Sequence, residues 1–374
     1  MEKISSTTNP YSTEQSSYPL LNNTNPSTMP TVLVTGANGY IGNAVARAFV
    51  RAGWITYGLI RSQTTATSLA VEEIIPIIGS IDDIASHETI RNKLPPTLDA
   101  IISTTENINE YIPHYNNTVH LLRTLATAST ANGVRPVVIF SSGCKDYGIG
   151  PHYDGDAALA PHTEESSLNP PDILADRTYQ SLKFLEHRDV FSPVVVRPTN
   201  VYGRSASYYR GFFEAAAQSV DTRKPLLIPV PPNSICHALH VDDCGDAYVA
   251  IAGHPRREEI EGEIFNISSR RYETIDEIAK TLVTEYGITA GVKYVEPESL
   301  APAENPWPPA LIDFPQWTGS AKVRAITGWC DVRPLFTEAI HTYRLAYEAA
   351  VVAGHENIEK MKERVELFKA TVGQ

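Results

Sequence analysis

Gly36, Gly39 and Gly42 directly follow the apolar run Thr31–Thr35, at a spacing that suits the binding of a dinucleotide. A tight turn after a strand needs residues that adopt positive φ, and close approach to a pyrophosphate leaves no room for a Cβ atom. The helix expected after the turn would point its first amides at the phosphates. A glycine-rich β-turn without a ligand is the alternative for such a motif alone. The other candidate cofactor contacts of the turn are Asn38, Tyr40 and Ile41.

The end of the second predicted strand indicates which dinucleotide is expected. Sites for NAD usually place an Asp or Glu there to hold the ribose 2′-hydroxyl. This chain has Arg61 and Ser62 at that point and no carboxylate. A guanidinium and a hydroxyl suit a 2′-phosphate, so NADP is the predicted cofactor and NAD the alternative. Arg61 could also simply cap a strand end on the surface.

Tyr179 and Lys183 are a candidate acid/base pair. Residues four apart share one face of a helix, so the ammonium would lie near the phenol. A nearby positive charge favours the phenolate and lowers a phenol pKa from its reference value of about 10. Tyr179 could then exchange a proton with a carbinol or carbonyl oxygen. The same spacing is common on ordinary helices, so the pair needs support from its surroundings.

The elements that must position these residues alternate between strand and helix, which is typical of an α/β Rossmann-type doubly wound parallel sheet. Apolar β-branched runs predict strands at Thr31–Thr35, Trp54–Ile60, Ile74–Ile78, Ala100–Thr104, Pro136–Phe140, Pro193–Arg197 and Ile264–Ile267. Amphipathic segments predict helices at Asn43–Ala52, His114–Ala131, Ala175–His187 and Thr274–Tyr286, and at least one within Leu335–Phe368.

The predicted organisation is a Rossmann domain with a smaller, discontinuous C-terminal substrate-binding lobe. Residues 30–200 and about 237–268 would form the cofactor domain, and residues about 201–236 and 269–332 the lobe, which is rich in proline. Residues 333–374 would be a C-terminal helical segment. Residues 1–29 are rich in Ser, Thr, Asn and Pro and would form a disordered tail, because they bury too little apolar surface to offset the ordering entropy.

Composition argues against several partner classes. The formal charge of −12 and the absence of a Lys/Arg run argue against nucleic acid and anionic membranes. The four cysteines are widely spaced without a C-x-x-C pair, which favours a reduced compartment. No stretch approaches the roughly 20 apolar residues of a spanning helix, and residues 1–29 lack the apolar core of a signal peptide. A cytoplasmic protein with a small-molecule substrate is expected, and a homodimer is one assembly it could form.

Several motifs, in order along the chain, resemble the extended short-chain dehydrogenase/reductases, also called the NAD-dependent epimerase/dehydratase family. Besides the glycine turn they are Phe140–Gly148, Tyr179–Lys183, Arg197–Gly203, His240–Asp243 and Ala321–Trp329. The resemblance implies an enzyme in which Tyr179 is the catalytic acid/base and Lys183 also holds the nicotinamide ribose. It further implies a cofactor contact at Pro198.

The same resemblance implies a third catalytic residue with a hydroxyl group. The family Ser or Thr lies four residues before the Tyr of a Tyr-Gly pair, and counting back from Tyr147 reaches Gly143. The adjacent Ser142 is the predicted catalytic serine. If the register is strict, a water or Lys145 would support the oxyanion instead. Members of the family also often have an Asn on the preceding helix, and the corresponding position of this chain holds His114.

Two reactions and one non-catalytic role are compatible with these motifs. Nucleotide-sugar members of the resembled family commonly carry an Arg at the position where this chain has Cys236. Sugar dehydratases of the family carry an Asp-Glu pair just before the Tyr-Gly pair, and the segment Cys144–Asp146 of this chain contains no such pair. Together with Arg61 and Ser62 at the end of the second strand, which favour NADP, these two differences favour a carbonyl reductase or alcohol dehydrogenase acting on a small or medium organic substrate. The alternatives are epimerisation of a sugar or nucleotide sugar through a transient keto intermediate, and a non-catalytic NADP-binding redox sensor. The candidate substrate contacts are Lys145, Asn200, Tyr202 and His237.

A group of polar residues near His240 could suggest a metal site. Its members are His237, His240, Asp242, Asp243 and Asp246. Their spacing matches no metal-ligand motif, so a loop and helix start near the cleft is the interpretation, and no metal site is predicted.

Overall fold

The central element of the fold is a sheet of seven parallel strands. The computed structural model describes residues 29–205, 207–300 and 307–372, so the tail predicted over residues 1–29 lies, apart from Met29, outside the described residues. The strands are β1 (Thr31–Thr35), β2 (Ile55–Ile60), β3 (Ile75–Ile78), β4 (Ala100–Ser103), β5 (Val137–Ser141), β6 (Ser192–Pro198), β7 (Asn200–Tyr202), β8 (Leu226–Ile228), β9 (Ile235–Cys236), β10 (Ala238–His240), β11 (Ile264–Ile267), β12 (Glu273–Thr274) and β13 (Val292–Tyr294).

The order of the strands confirms the predicted doubly wound sheet. It runs β11-β6-β5-β4-β1-β2-β3, with every pair parallel. The chain starts in the middle of the sheet, builds one half through β3, and returns to build the other half from β4. All residues of β4 and β6 are buried, because helices cover both faces of a parallel sheet.

Helices connect the strands and extend beyond the sheet. They are α1 (Tyr40–Arg51), α2 (Ala66–Val71), α3 (His87–Asn92), α4 (Tyr111–Ala131), α5 (Asp172–Phe184), α6 (Arg210–Thr222), α7 (Val241–Ala252), α8 (Ile275–Tyr286), α9 (Pro309–Ile312), α10 (Ala321–Thr327), α11 (Ile340–Val352) and α12 (Glu356–Val372). None of the helices in the described residues is both long and apolar enough to cross a membrane.

A second apolar core lies beyond the sheet, where the sequence predicts the substrate lobe. Short strands pair there as β7 with β10, β9 with β12 and β8 with β13. Aromatic side chains fill the space between them, and Phe336 contacts Tyr202, Tyr209 and Phe213 with ring centroids 4.8–5.6 Å apart. The exact division of the chain into a cofactor domain and a lobe stays a prediction.

The carboxyl ends of the parallel strands bring distant segments to one edge of the sheet. Strands β1, β2, β4 and β5 all end there, so the residues that follow them meet across the edge. Ligands of open α/β sheets bind at this edge, where the strand order reverses. The candidate site is therefore expected between the end of β1 and the end of β5.

Candidate active site

The turn after β1 has the backbone that a dinucleotide phosphate requires. Gly36 has a φ of +69°, which L side chains rarely adopt. A Cβ atom on Gly42 would lie 2.2 Å from the Gly36 carbonyl oxygen, so this position demands glycine. No side chain caps α1 at Gly39, which leaves its first amides able to bind phosphate oxygens. The Tyr40 hydroxyl donates to the Gly203 carbonyl, so this side chain points toward the segment after β7. The turn fits a dinucleotide pyrophosphate.

The end of β2 presents two polar side chains at the same edge. Arg61 and Ser62 follow the strand directly, and both are exposed. Ser62 Oγ accepts a hydrogen bond from the Thr64 amide at 3.2 Å and caps the short turn that follows. Within the described part of the chain Arg61 forms no ion pair, so its guanidinium can meet a phosphate.

A buried carboxylate organises the segment after β5. The Asp146 side chain is fully buried, and it accepts hydrogen bonds from Ser142 Oγ at 2.5 Å and Thr178 Oγ1 at 2.9 Å. It also accepts from Arg177 Nη2 at 2.7 Å and Arg197 Nε at 3.0 Å. Two guanidiniums compensate the cost of burying one carboxylate. Asp146 thereby ties the end of β5 to α5 and β6.

A second carboxylate extends this network to the last helix of the chain. Glu106 lies just beyond β4 and accepts from Arg177 Nη1 at 3.4 Å and Arg364 Nη2 at 2.5 Å. Burial raises the pKa of Glu106, but Arg364 and Arg177 outweigh this and bring the pKa down to about 2. Glu106 is therefore ionised and joins α5 to α12.

Lys145 places an amine in the same region without a neutralising partner. Its ammonium donates to Asn200 Oδ1 at 3.1 Å and lies 4.6 Å from the centroid of the Phe314 ring. Among the described residues no carboxylate lies within ion-pair distance of it. Burial, and after it the nearby Arg177, lower the pKa of the half-buried Lys145 from 10.5 to about 8. An amine with such a pKa can accept or donate a proton near neutral pH.

The two thiols nearest to Lys145 cannot serve as nucleophiles. Cys144 donates to the Arg197 carbonyl at 2.9 Å, and Cys236 contacts the Tyr209 hydroxyl at 3.2 Å. Burial raises the pKa of both thiols to about 12, so neither carries a thiolate near neutral pH. Neither thiol therefore supports covalent catalysis.

This geometry agrees with what comparison of the chain with known proteins finds. Residues 32–268 match the profile of the NAD dependent epimerase/dehydratase family. The chain belongs to the NAD-dependent epimerase/dehydratase family. Members of this family are enzymes of the extended short-chain dehydrogenase/reductase type. A relative, the UDP-glucose 4-epimerase of Azospirillum brasilense, is 26% identical over 324 residues, which cover 80% of this chain and 87% of the relative.

Solved structures of other epimerases and dehydratases share the fold of this family member. A putative epimerase from Burkholderia cenocepacia has a TM-score of 0.65 at 18% identity, and the matched region covers 86% of this chain and 99% of the epimerase chain. The dTDP-glucose 4,6-dehydratase from Bacillus anthracis, in complex with NAD, has a TM-score of 0.63 at 17% identity, with coverages of 86% and 97%. The UDP-glucuronic acid 4-epimerase from Bacillus cereus, also with NAD, has a TM-score of 0.61 at 17% identity, with coverages of 87% and 100%.

The predicted catalytic pair does not lie at the site in this member of the family. Tyr179 is 50% exposed, and Lys183 is exposed as well. The buried face of α5 carries Leu174, Arg177 and Thr178, and the last two contact the carboxylate described above. Tyr179 follows Arg177 by two positions, which places the two side chains on opposite sides of the helix. The structure therefore does not place Tyr179 and Lys183 beside Asp146, and their assignment as the acid/base pair stays a prediction.

Ser142 does lie at the site, although its partner is not the predicted one. Its hydroxyl donates to Asp146, whereas the sequence predicts a hydrogen bond to Tyr179 or to a substrate oxygen between them. Ser141 points the other way, with its Oγ 2.8 Å from the Tyr248 hydroxyl, as alternation along a strand predicts. The catalytic role of Ser142 stays a prediction.

Two of the four predicted substrate contacts belong to the interior. Tyr202 is 1% exposed and donates to the Pro334 carbonyl at 2.9 Å. His237 is buried, donates to the Ser269 carbonyl and accepts from the Thr318 amide. These partners satisfy the hydrogen-bonding groups of both side chains, and their assignment to a substrate stays a prediction. The structure brings the other two predicted substrate contacts, Lys145 and Asn200, together. Pro198, the predicted cofactor contact, lies at the carboxyl end of β6.

His114, which occupies the register of the family Asn, has a structural role. Its Nδ1 lies 3.0 Å from Asp82 Oδ1, and its Nε2 lies 3.2 Å from Thr105 Oγ1. The imidazole therefore links the segments after β3 and β4 from its position on α4.

The polar group near His240 stabilises the start of α7. His240 Nδ1 accepts a hydrogen bond from the Asp242 amide and caps the helix. The carboxylates pair with arginines, Asp242 with Arg204, and Asp243 and Asp246 with Arg333.

Sequence reasoning missed Asp146, Arg177, Glu106 and Arg364. Asp146 could have been noticed because it precedes the Tyr-Gly pair of a family motif. Arg177 belongs to no motif, and Arg364 lies 258 positions from the Glu106 with which it pairs. Pairing of distant charges leaves no periodic signal in a sequence, so only the tertiary structure could reveal this network.

Proposed function

We propose that this chain is a nicotinamide-dependent epimerase that inverts a carbinol carbon of a sugar carrying an anionic group. The observation that carries the proposal is Lys145, a half-buried amine close in sequence to Ser142, hydrogen-bonded to Asn200 and free of a carboxylate partner in the described residues. Membership of the epimerase/dehydratase family and the similarity to a UDP-glucose 4-epimerase support the reaction class.

The residues around the glycine turn would hold the cofactor. The backbone of Gly36 to Gly42 would bind the pyrophosphate, and Arg61 and Ser62 the ribose, with a preference for a 2′-phosphate and hence for NADP. When bound, the nicotinamide supplies reversible hydride transfer at the substrate carbon.

Lys145 would move the proton that accompanies this oxidation. As the neutral amine it accepts the proton of the carbinol oxygen, and as the ammonium it returns that proton when the carbonyl is reduced from the other face. A pKa of about 8 keeps both forms populated near neutral pH. Asn200 orients the amine through its Oδ1, and Asp146 fixes the Ser142 hydroxyl at the end of β5.

Uncompensated positive charge supports an anionic substrate. Arg177 and Arg364 both act on the Lys145 amine through space and lower its pKa, so three cationic side chains lie near one another. Glu106 and Asp146 face three arginines, Arg177, Arg197 and Arg364, so the site keeps a net positive charge even when the Lys145 amine is neutral. A phosphate or diphosphate group on the substrate would supply the missing negative charge.

One observation favours carbonyl reduction as a second candidate. Cys236 stands where nucleotide-sugar members of the resembled family carry an Arg, and it is buried against Tyr209. This position therefore offers no cation to a nucleotide diphosphate. A reductase of a smaller anionic carbonyl compound would use the same amine and would consume NADPH in every turnover.

Cofactor stoichiometry distinguishes the two reactions. Purified protein is incubated with UDP-glucose or UDP-galactose and a trace of NAD or NADP, and the sugar is followed by NMR. Inversion at substoichiometric cofactor is the expected result, and Lys145→Met should lower kcat by about 10²–10⁴-fold. Lys224→Met, which changes an exposed lysine of the lobe, should have no effect. Stoichiometric loss of NADPH with carbonyl compounds and no inversion would replace the epimerase with the reductase.

A further inference from the structure

One face of the last helix is directed at the glycine turn and at the segment after β7. Asn357 Nδ2 of α12 donates to Ser205 Oγ at 3.4 Å, and Lys360 Nζ donates to the Asn38 carbonyl at 3.4 Å. Arg364 lies one turn further along the helix. Residues spaced three and four apart share a helix face, so α12 crosses the edge of the sheet with these three side chains directed at it.

Buried contacts hold α12 in this position. Arg364 donates to Glu106 at 2.5 Å and to the Tyr208 hydroxyl at 2.8 Å. Val365 is buried, and Ile358 packs against Ala350 of α11. A helix with a charge-assisted anchor and two buried apolar side chains is docked on the fold, so its cations have defined positions.

Lys360 is the cation of α12 that contacts the backbone of the glycine turn. Its only other described contact is Glu356, one turn earlier, in an exposed pair at 2.8 Å. Exposed pairs of this kind contribute little, so the ammonium can exchange Glu356 for a stronger anion. The nearby turn already offers the uncapped amides of α1 to phosphate oxygens.

We propose that Lys360 is a ligand of the cofactor pyrophosphate, supplied by the C-terminal helix to the site formed by Gly36 to Gly42. The inference rests on the proposed function only in that a dinucleotide binds at this turn. An open cavity lined by Tyr40 and Asn43 of α1 and by Asn357 of α12 lies between the starts of the two helices, and we expect α12 to close over the dinucleotide when it binds. The ammonium then pairs with the pyrophosphate in the closed position.

The test measures cofactor affinity rather than activity. NADPH binding to the full chain is titrated by nucleotide fluorescence for the wild type and for Lys360→Gln. The control is Lys362→Gln, since Lys362 lies on the same helix and pairs only with Glu359 among the described residues. We expect Kd to rise about tenfold for Lys360→Gln, the loss of one charge-assisted contact, and to be unchanged for Lys362→Gln. Kd should also depend less steeply on salt in Lys360→Gln.

Each other outcome overturns a defined part of the reasoning. Equal Kd values for the wild type and Lys360→Gln, with circular dichroism confirming both folds, would refute the pyrophosphate contact and leave the proposed function intact. Tighter binding by Lys360→Gln would show that α12 competes with the cofactor, which also refutes the inference. No NADPH or NADH binding by the wild type would refute the proposed function itself. Hydrogen exchange of residues 356–366 should slow on NADPH addition, and unchanged exchange would contradict closure of α12.

Discussion

Replacing Asp146 by Asn tests whether the buried charge network holds the site together. The carboxylate is fully buried and accepts four hydrogen bonds, two of them from Arg177 and Arg197. An Asn side chain keeps one acceptor oxygen, turns an NH₂ group toward a guanidinium and leaves both arginines without their shared counter-charge. Removing one partner of a buried ion pair costs about 3–5 kcal/mol, and this is the expected loss in the free energy of unfolding.

Urea unfolding followed by tryptophan fluorescence measures this loss from the midpoint and the m value. Glu88→Gln is the control, because it makes the same carboxylate-to-amide change in a pair with Arg91 whose glutamate is 66% exposed. We expect the control to lose less than about 1 kcal/mol. If Asp146→Asn also lost less than about 1 kcal/mol at an unchanged m value, the network would not stabilise the fold as argued.

Four further outcomes follow from the site. Tyr179→Phe should change kcat by less than about twofold, because the side chain lies on the exposed face of α5, and a loss of about 10²-fold would return it to the catalytic machinery. The rate of carbinol oxidation should rise with pH with a midpoint near 8 as Lys145 loses its proton, and Lys145→Arg should abolish this rise. Glu106 has a folded-state pKa of about 2 against 4.5 when unfolded, so its stabilisation is complete above about pH 4.5 and is lost as the pH falls toward 2. The difference in melting temperature between the wild type and Glu106→Gln should accordingly shrink below pH 4.5, and a constant difference from pH 7 to pH 3 would contradict the assignment. Arg61→Ala should raise the Kd for NADPH about tenfold and leave that for NADH unchanged, and equal effects on both would remove the argument for NADP.

Local physical rules in the sequence determined the sheet and the cofactor turn. The predicted strands β1 and β11 agree with the structure at both ends, and the other sheet strands agree to within one residue at each end. In a chain that alternates strand and helix, a short apolar β-branched run is compatible with few structures other than a buried strand. The glycines were equally predictable, since a positive φ at Gly36 and the close approach at Gly42 are backbone requirements that few other residues meet.

The residues of α5 show where the sequence was insufficient. The spacing of Tyr179 and Lys183 correctly places them on one helix face, but spacing does not say which face is buried. That choice depends on Leu174, Arg177 and Thr178, which meet the sheet edge and Asp146 only after folding.

The charge network is the part that only the tertiary structure decided. Asp146, Arg177, Glu106 and Arg364 come from four separate segments, and any of the chain's many arginines could have paired with either carboxylate. A hydrophobic face repeats with the period of its helix or strand and can be read from the sequence. An ion pair between distant segments has no period, because its partners are selected by the path of the chain in three dimensions.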